Sequence, residues 1–479
     1  MGKSIKLMDI LNEGLSEILA LEFVSNEVKS SPWSGKVYLA GGAVRDEMLG
    51  IDSKDIDLVV ALPNGGIAFA NWLTRKLGIH SDTNPVVFER FGTAKFNLRG
   101  IKYKGVDLSG IDIECVMTRS EKYDGATRKP DVAYGDLAAD VERRDFTVNS
   151  LLKDLTTGEI LDLTGKGKAD IQKGVVRSAI DPNIIFREDP LRMLRAIRFT
   201  VKYNWSLPLF MIKALKANAH MLKNISMERI QDELNKMIMT GSPDKAIRLL
   251  QMTGLSQGIM PELDLLIGLS QNRYHKWDTN KHTLQVLKNV PADLKTRLAA
   301  LFHDIGKATT RTVIDNEVHF YSHEDVGADV ARDIMKRLKY PNDIIDGVCA
   351  IVKNHMRLKQ AGFEGEIVSD KSLRQIQVEL GDHLQNTLDV MHADNIAHAD
   401  IHNMPNQIPG VRARMLNLKT PTKITLPIDG FDIMKDLNIK PGPMIKILLS
   451  AITDAYYSNP HMTPREALQI ARDTYRDLK

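Results

Sequence analysis

A change of rhythm near residue 185 constrains this chain more than any single motif. Before it, strand-like and helix-like runs alternate. Residues 36–40 (KVYLA), 55–61 (DIDLVVA), 93–98 and 111–117 (IDIECVM) read as strands, and 66–77 as a helix. After it, stretches such as REDPLRMLRAIRFTVKY and MERIQDELNKMIM place apolar residues at helical spacing, and strand signals almost vanish apart from a possible ribbon at 311–321. A chain with this pattern folds as an α/β or α+β head followed by a helical middle and a helical C-terminal half. Its 479 residues suffice for about three domains and a sizeable core without disulfide or metal staples.

Charge and cysteine usage narrow the class. Lys+Arg is 64 and Asp+Glu is 61, a net charge of +3, so any basic surface for a nucleic acid must be local. Cys115 and Cys349 are the only cysteines, and both sit in apolar runs, which predicts buried free thiols and a cytoplasmic location. No apolar stretch of about 18 residues appears, so no membrane partner is expected. The N-terminus lacks a signal-peptide core, and Lys6 stands where a myristoylation signal wants Ser or Thr.

The densest chemistry lies in YLAGGAVRDEMLGIDSKDIDLVV, residues 38–60. Asp55 and Asp57 alternate along a predicted strand and project from one face. Two such carboxylates repel, and a divalent cation with a preference for oxygen, such as Mg2+, relieves the cost. Gly41-Gly42 allows a phosphate to approach the backbone ahead of a short helix, and Arg45 can add positive charge. Asp112 and Glu114 alternate on another predicted strand, and a third acid from there would complete a two-metal site for an in-line displacement.

GGAVRD…DIDLVV resembles the signature of the nucleotidyltransferase superfamily related to DNA polymerase β. The continuation resembles its class II tRNA nucleotidyltransferases, which add the 3′-terminal CCA to tRNA, and their poly(A) polymerase relatives. Four motifs carry the likeness further. ECVMTR, 114–119, resembles the strand of the third acid and selects Glu114, with Asp112 as the fallback. ERRDFTVNSLLKD, 142–154, resembles the ribose motif, which implies Asp145 and Asn149 on the sugar hydroxyls and Arg144 on the phosphates; Ser150 replaces the family's usual Ala. DLTG, 162–165, resembles the hinge between head and neck. EDPLRMLRAIRF, 188–199, resembles the motif that reads the incoming base, which implies Asp189 and Arg192 on one helix face, extended by Arg195 and Arg198. SMERIQDELNKMI, 226–238, resembles the helix bracing that pocket through Glu228 and Arg229. FERFGTAKF, 88–96, resembles a β element of the family, and 121–135 reads as a mobile loop.

A second constellation follows. His282, then His303-Asp304 in HDIGK after an apolar helix, then His323, His355 and Asp394 form the ordered set an all-helical metal phosphohydrolase needs. It resembles the HD superfamily. The resemblance implies His282, His303, Asp304 and Asp394 as metal ligands, Lys307 on phosphate, and His323 and His355 as further ligands or phosphate contacts. His275, His319, His392, His398 and His402 read as surface residues or neighbours of the ligands.

The resemblance implies an α+β multidomain organisation: a catalytic head with a small mixed sheet at 1–165, an all-helical neck and body at 166–270 for base recognition and tRNA binding, an all-helical HD domain at 271–400 and a helical tail at 401–479. Lys440, Lys446 and Arg465 of the tail read as solvated residues with a secondary possibility of tRNA contact. The implied activity is template-independent CCA addition with CTP and ATP, using Mg2+ in the head. A 2′,3′-cyclic phosphodiesterase or phosphatase would use Ni2+, Mn2+ or Co2+ in the HD site. The alternatives are a poly(A) polymerase, a specialist adding only CC or only A, or an HD hydrolase with a non-catalytic RNA-binding head. The oligomeric state is not legible in the sequence.

Overall fold

The computed structural model describes residues 14–53, 55–122, 131–271, 276–398, 403–418 and 424–478. The chain divides into two compact units, Met1–Arg229 with Met252–Gly258, and Ile230–Gln251 with Ile259–Lys479.

The first unit is built on a seven-stranded mixed sheet. Its strands are β1 (Val37–Ala40), β2 (Ile56–Val60), β3 (Val86–Phe88), β4 (Thr93–Asn97), β5 (Asp112–Met117), β6 (Leu152–Asp154) and β7 (Ile160–Leu161). The spatial order is β7-β6-β1-β2-β5-β4-β3, and only β2 and β5 run parallel. Four of these strands match the sequence pattern; β3, β6 and β7 were not anticipated. Helix Gly65–Lys76 covers one face and buries Phe69 and Leu73 fully, each worth about 1.5–3 kcal/mol. The ends of the stretch expected as a loop pair as a ribbon, Arg119–Lys122 with Asp131–Tyr134, while 123–130 lies outside the described residues. Helices Pro182–Glu188, Leu191–Lys202 and Leu209–Asn218 follow the sheet.

Among the described residues the second unit is helical apart from a ribbon that the sequence hinted at: Arg311–Ile314 pairs antiparallel with Glu317–Phe320, so the HD region is not purely helical. Helix Leu294–Phe302 is buried from Thr296 through Phe302. A helix apolar on every side belongs in an interior, and this one delivers His303 and Asp304 there. Helices Asp370–Leu380, Leu384–Ile396 and Gln407–Leu418 share one apolar cluster, and Gly430–Leu437, Pro443–Ser458 and Pro464–Asp477 share another. Lys440, Lys446 and Arg465 are exposed on this last bundle. Both cysteines are buried and free. Among the described residues no helix is long and apolar enough to cross a membrane.

Candidate functional site

The head site forms where β2 and β5 run side by side. Parallel register sets Asp57 directly beside Glu114 and Glu114 beside Lys95 on β4. Asp55 lies one residue before β2 rather than on it, yet lines the same depression of about 250 Å3 as Asp57, Asp112 and Glu114. Burial, then the charges of Glu114 and Asp55, push the Asp57 carboxyl up to about 6, with Arg144 pulling the other way. Asp112 is spent differently: it pairs with Lys95 at 2.9 Å. The remaining acids crowd together with too little positive charge, and their oxygen donors fit a hard divalent cation.

Above them the chain turns at Gly41. Its φ of 67° is a left-handed conformation, and a Cβ there would come within 3.3 Å of Arg144 Nη1, so glycine serves both the turn and the approach of Arg144. Gly42 opens helix Gly42–Leu49. Arg144 is aimed by Asp140, whose carboxylate is wholly buried and takes Arg143 Nη2 at 2.6 Å and Arg144 Nη2 at 2.8 Å. Burial raises the Asp140 pKa, but the two guanidiniums outweigh it and hold the carboxyl below its usual range. Sequence reading passed over Asp140; its position three and four residues before two arginines on a helical stretch was the available signal.

Three expected nucleotide contacts are buried and bonded to one another or to their neighbours. Arg45 is 5 % exposed. It donates to Asn149 Oδ1 and to Asp46, and lies 5.1 Å from the Phe199 ring centre and 5.0 Å from that of Tyr203. Its guanidinium is thus engaged by groups of the head itself. Tyr203, its phenol pushed up to about 12 mainly by burial, donates to Asp46 at 3.1 Å. Asp145 and Asn149 are 8 % and 7 % exposed. Asp145 Oδ1 accepts from Asn149 Nδ2 and from the Phe146 amide, and Oδ2 accepts from Arg195 at 2.8 Å from Nε and 2.6 Å from Nη2. Burial works against ionisation of Asp145, and Arg195 reverses it, leaving the pKa lowered.

Asp189 and Arg192 do not share a helix face. Asp189 precedes Pro190 and is extended, with φ −138° and ψ 98°, as a residue before proline tends to be. Helix Leu191–Lys202 begins after it. Arg192 turns inward to the Arg143 carbonyl (2.6 Å) and Glu188 (3.1 Å). The Asp189 carboxylate instead meets Arg229 at 3.2 Å.

A second centre is buried in the helical unit. His282 Nε2 lies 2.9 Å from Asp394 Oδ1, and His303 Nε2 lies 3.2 Å from Asp304 Oδ2. His323 and His355 are buried beside them. Lys307 donates to Asp304 Oδ2 at 2.8 Å and to Gln271 at 2.7 Å. One neighbour was not anticipated, Lys359, 2.5 Å from Asp394 Oδ2; His398, read from the sequence as a surface residue or a neighbour of the ligands, donates from Nδ1 to the Asp394 carbonyl at 2.7 Å. Burial alone would raise the pKa values of Asp304 and Asp394, but the histidines and lysines hold both well below the usual range. Burial, then the charge of His303, pushes His355 down to about 3, which keeps it a neutral nitrogen donor. The mixed imidazole and carboxylate set fits a divalent transition ion. His275 and His402 lie outside the described residues; His319 stacks on Tyr321 at the ribbon.

Three family models match the chain. The Poly A polymerase head domain covers residues 37–177, the probable RNA and SrmB-binding site of polymerase A covers 211–266, and the HD domain covers 275–387. A CC-adding tRNA nucleotidyltransferase of Thermus thermophilus is 30% identical over 70% of this chain and 76% of its own length. A multifunctional CCA protein of Azoarcus is 32% identical over 68% and 75%, and tRNA nucleotidyltransferase cca2 of Schizosaccharomyces pombe 27% over 92% of both. Among solved structures, the CCA-adding enzyme of Bacillus stearothermophilus in complex with CTP superposes with a TM-score of 0.65 at 21% identity, covering 97% of this chain and 98% of that one. The Thermotoga maritima CCA-adding enzyme complexed with tRNA gives 0.59 at 19%, covering 97% and 96%.

Proposed function

The chain belongs to the tRNA nucleotidyltransferase family, and on that footing we propose that it completes the 3′ end of tRNA with C, C and A from CTP and ATP, and that its HD region hydrolyses phosphate esters. The observation that carries the first activity is the Asp57–Glu114 register beside Asp55. Asp55, Asp57 and Glu114 would hold two Mg2+ ions, which supply charge neutralisation for displacement at the α-phosphate.

The remaining roles fall to the protein's own groups. The tRNA 3′-hydroxyl oxygen bonds to the α-phosphorus as the bond to pyrophosphate breaks, so catalysis is positioning and charge placement. Arg144, aimed by Asp140, meets the phosphates. Asp145 holds Asn149 and Arg195 against the sugar, and Arg45 fixes Asn149 from behind. Asp189 and Arg229 present an acceptor and a donor to the base edge, while Arg192 ties their turn to Arg143. The parts divide as a head at 1–165, a neck and body at 166–270, an HD region at 271–400 and a tail at 401–479.

In the HD region, His282, His303, Asp304 and Asp394 would hold a Ni2+, Mn2+ or Co2+ ion, which supplies a Lewis acid for phosphate-ester hydrolysis. Lys307 and Lys359 carry positive charge to the phosphate. The fitting substrate is a tRNA end blocked by a 2′,3′-cyclic phosphate or a phosphomonoester, since either denies the head a free 3′-hydroxyl.

A tRNA lacking its last three residues, offered CTP and ATP singly and together, tests the first activity. CTP alone should add two residues, and both together three. Addition of two residues only, with ATP unused, would assign the CC-adding activity named for the Thermus relative. Long tails from ATP alone would assign a poly(A) polymerase.

A further inference from the structure

We propose that the outward face of β4, with the turn at residues 81–84 beside it, is a docking groove for the phosphodiester backbone of the RNA strand being extended, and that Lys95 and Arg99 are its phosphate contacts. The proposal rests on the nucleotide-adding reading and gives the strand its path to the acids.

The order of the sheet decides which side the strand comes from. Neighbouring strands run β1-β2-β5-β4. Gly41 follows β1, and Arg144 approaches the chain at that turn. The phosphates of the incoming nucleotide therefore belong on the β1 flank. Asp57 on β2 and Glu114 on β5 stand in the middle. In an in-line displacement the attacking oxygen enters opposite the leaving pyrophosphate. The 3′-hydroxyl thus arrives from the β4 flank.

That flank is shaped and charged for such a strand. From Ala94 to Arg99 burial alternates: Ala94, Phe96 and Leu98 are buried, Lys95 and Arg99 are exposed, and Asn97 is half-buried between them. A depression of about 170 Å3 lies over the outward residues and is lined also by Ser81, Thr83 and Asn84. It adjoins the depression of the catalytic acids, since Lys95 and Asp112 line both. Asn84 ties the turn to β4. Its Oδ1 accepts from the Asn97 amide at 3.0 Å, and its Nδ2 donates to the Asn97 carbonyl at 3.2 Å and the Ile79 carbonyl at 3.0 Å. The side chain pairs with Asn97 as a neighbouring peptide would. The lining carries two cations, Lys95 and Arg99, against one carboxylate, Asp112. Lys95 pairs with that carboxylate at 2.9 Å, yet both side chains are half exposed. A pair so well hydrated changes partner at little cost, so the ammonium is available to a phosphate. Phosphate contacts position a strand without reading its bases. An enzyme that extends an end first with C and then with A needs that indifference.

The test measures nucleotide addition and binding by the full chain on tRNA lacking CCA. Lys95→Ala combined with Arg99→Ala should raise the KM for tRNA by about tenfold and leave the KM for CTP unchanged. The slope of log affinity for tRNA against log salt should flatten by about 1.4, two phosphates at about 0.7 each on a single strand. Lys95→Arg combined with Arg99→Lys keeps both charges and should restore both values. Uncharged methylphosphonate linkages at the last two positions of the tRNA should weaken binding to the parent and cost the double alanine variant nothing further. Circular dichroism checks the fold, which two exposed side chains should not disturb. KM values for tRNA and CTP that rise alike, a rise for CTP alone, or an unchanged salt slope overturns the groove. So does a methylphosphonate cost that is equal in parent and variant. Each of these leaves the nucleotide-adding reading standing. A parent chain that extends no tRNA overturns that reading and the groove with it.

Discussion

Glu114 lies directly beside Asp57 on the neighbouring parallel strand, and after burial its charge is the largest influence keeping the Asp57 carboxyl up at about 6. Asp57→Asn removes a repelled acid, so the melting temperature should hold or rise. Incorporation of CTP and ATP should fall by at least about 100-fold, the upper end of the loss for disturbing the outer partners of a metal. Activity within tenfold of the parent, measured on tRNA lacking CCA, would remove Asp57 from the site.

Asp140 gives a pH-dependent signature. Its pKa is lowered in the folded chain, so its contribution is complete above the unfolded value of about 4 and is lost as pH falls through the folded value. Asp140→Asn should cost about 3 kcal/mol at neutral pH, the low end for breaking a buried pair because both arginines reach solvent. It should also flatten the decline in melting temperature below about pH 4. An unchanged acid limb in thermal melts would show that Asp140 does not carry this charge network.

Arg229 pairs with Asp189 on a half-open surface, where such pairs contribute little to stability. Arg229→Ala should leave the melting point unchanged while altering the CTP-to-ATP ratio of kcat/KM by about tenfold, or roughly 1.4 kcal/mol of discrimination. A loss shared equally by both nucleotides would place Arg229 outside base selection.

Gly306→Ala tests the packing of the helical centre. The added methyl would meet the His323 carbonyl oxygen at 2.2 Å and the Gly327 nitrogen at 2.7 Å, both backbone atoms. Overpacking of this kind costs about 2 kcal/mol, or about 5 °C in a unit of this size. Calorimetry should show that loss, and metal content should fall with it.

The two activities should separate. Asp304→Asn should abolish hydrolysis of 2′,3′-cyclic AMP and leave CTP and ATP addition intact, because Asp304 belongs to the second compact unit and Asp57 to the first. Loss of nucleotide addition in that variant, with the fold verified by circular dichroism, would contradict two independent centres.

Much of this was legible in the residues. The acids at 55, 57 and 114 and the order His282, His303-Asp304, His323, His355, Asp394 are local or ordered patterns that survive without coordinates. β6 and β7 were not, because two or three residues are too few to show alternation. The direction of Arg45 was also hidden, since its partners Asn149 and Tyr203 come from distant segments. The error at Asp189 was avoidable: Pro190 follows it and disfavours a helical conformation there. That Asp304 turns one oxygen to His282 and His303 and the other to His323 and His355 depends on distant helices meeting, which no spacing rule encodes.

Arg45, sandwiched near Phe199 and Tyr203 and bonded to Asn149, clamps the far end of helix Leu191–Lys202 to helix Gly42–Leu49 of the head. The near end starts only after the extended residue Asp189. The helix is thus tied at both ends, since Arg192 near its start bonds the Arg143 carbonyl and Glu188. A substitution in the extended turn at Asp189 would therefore leave the Arg45 clamp at the far end in place.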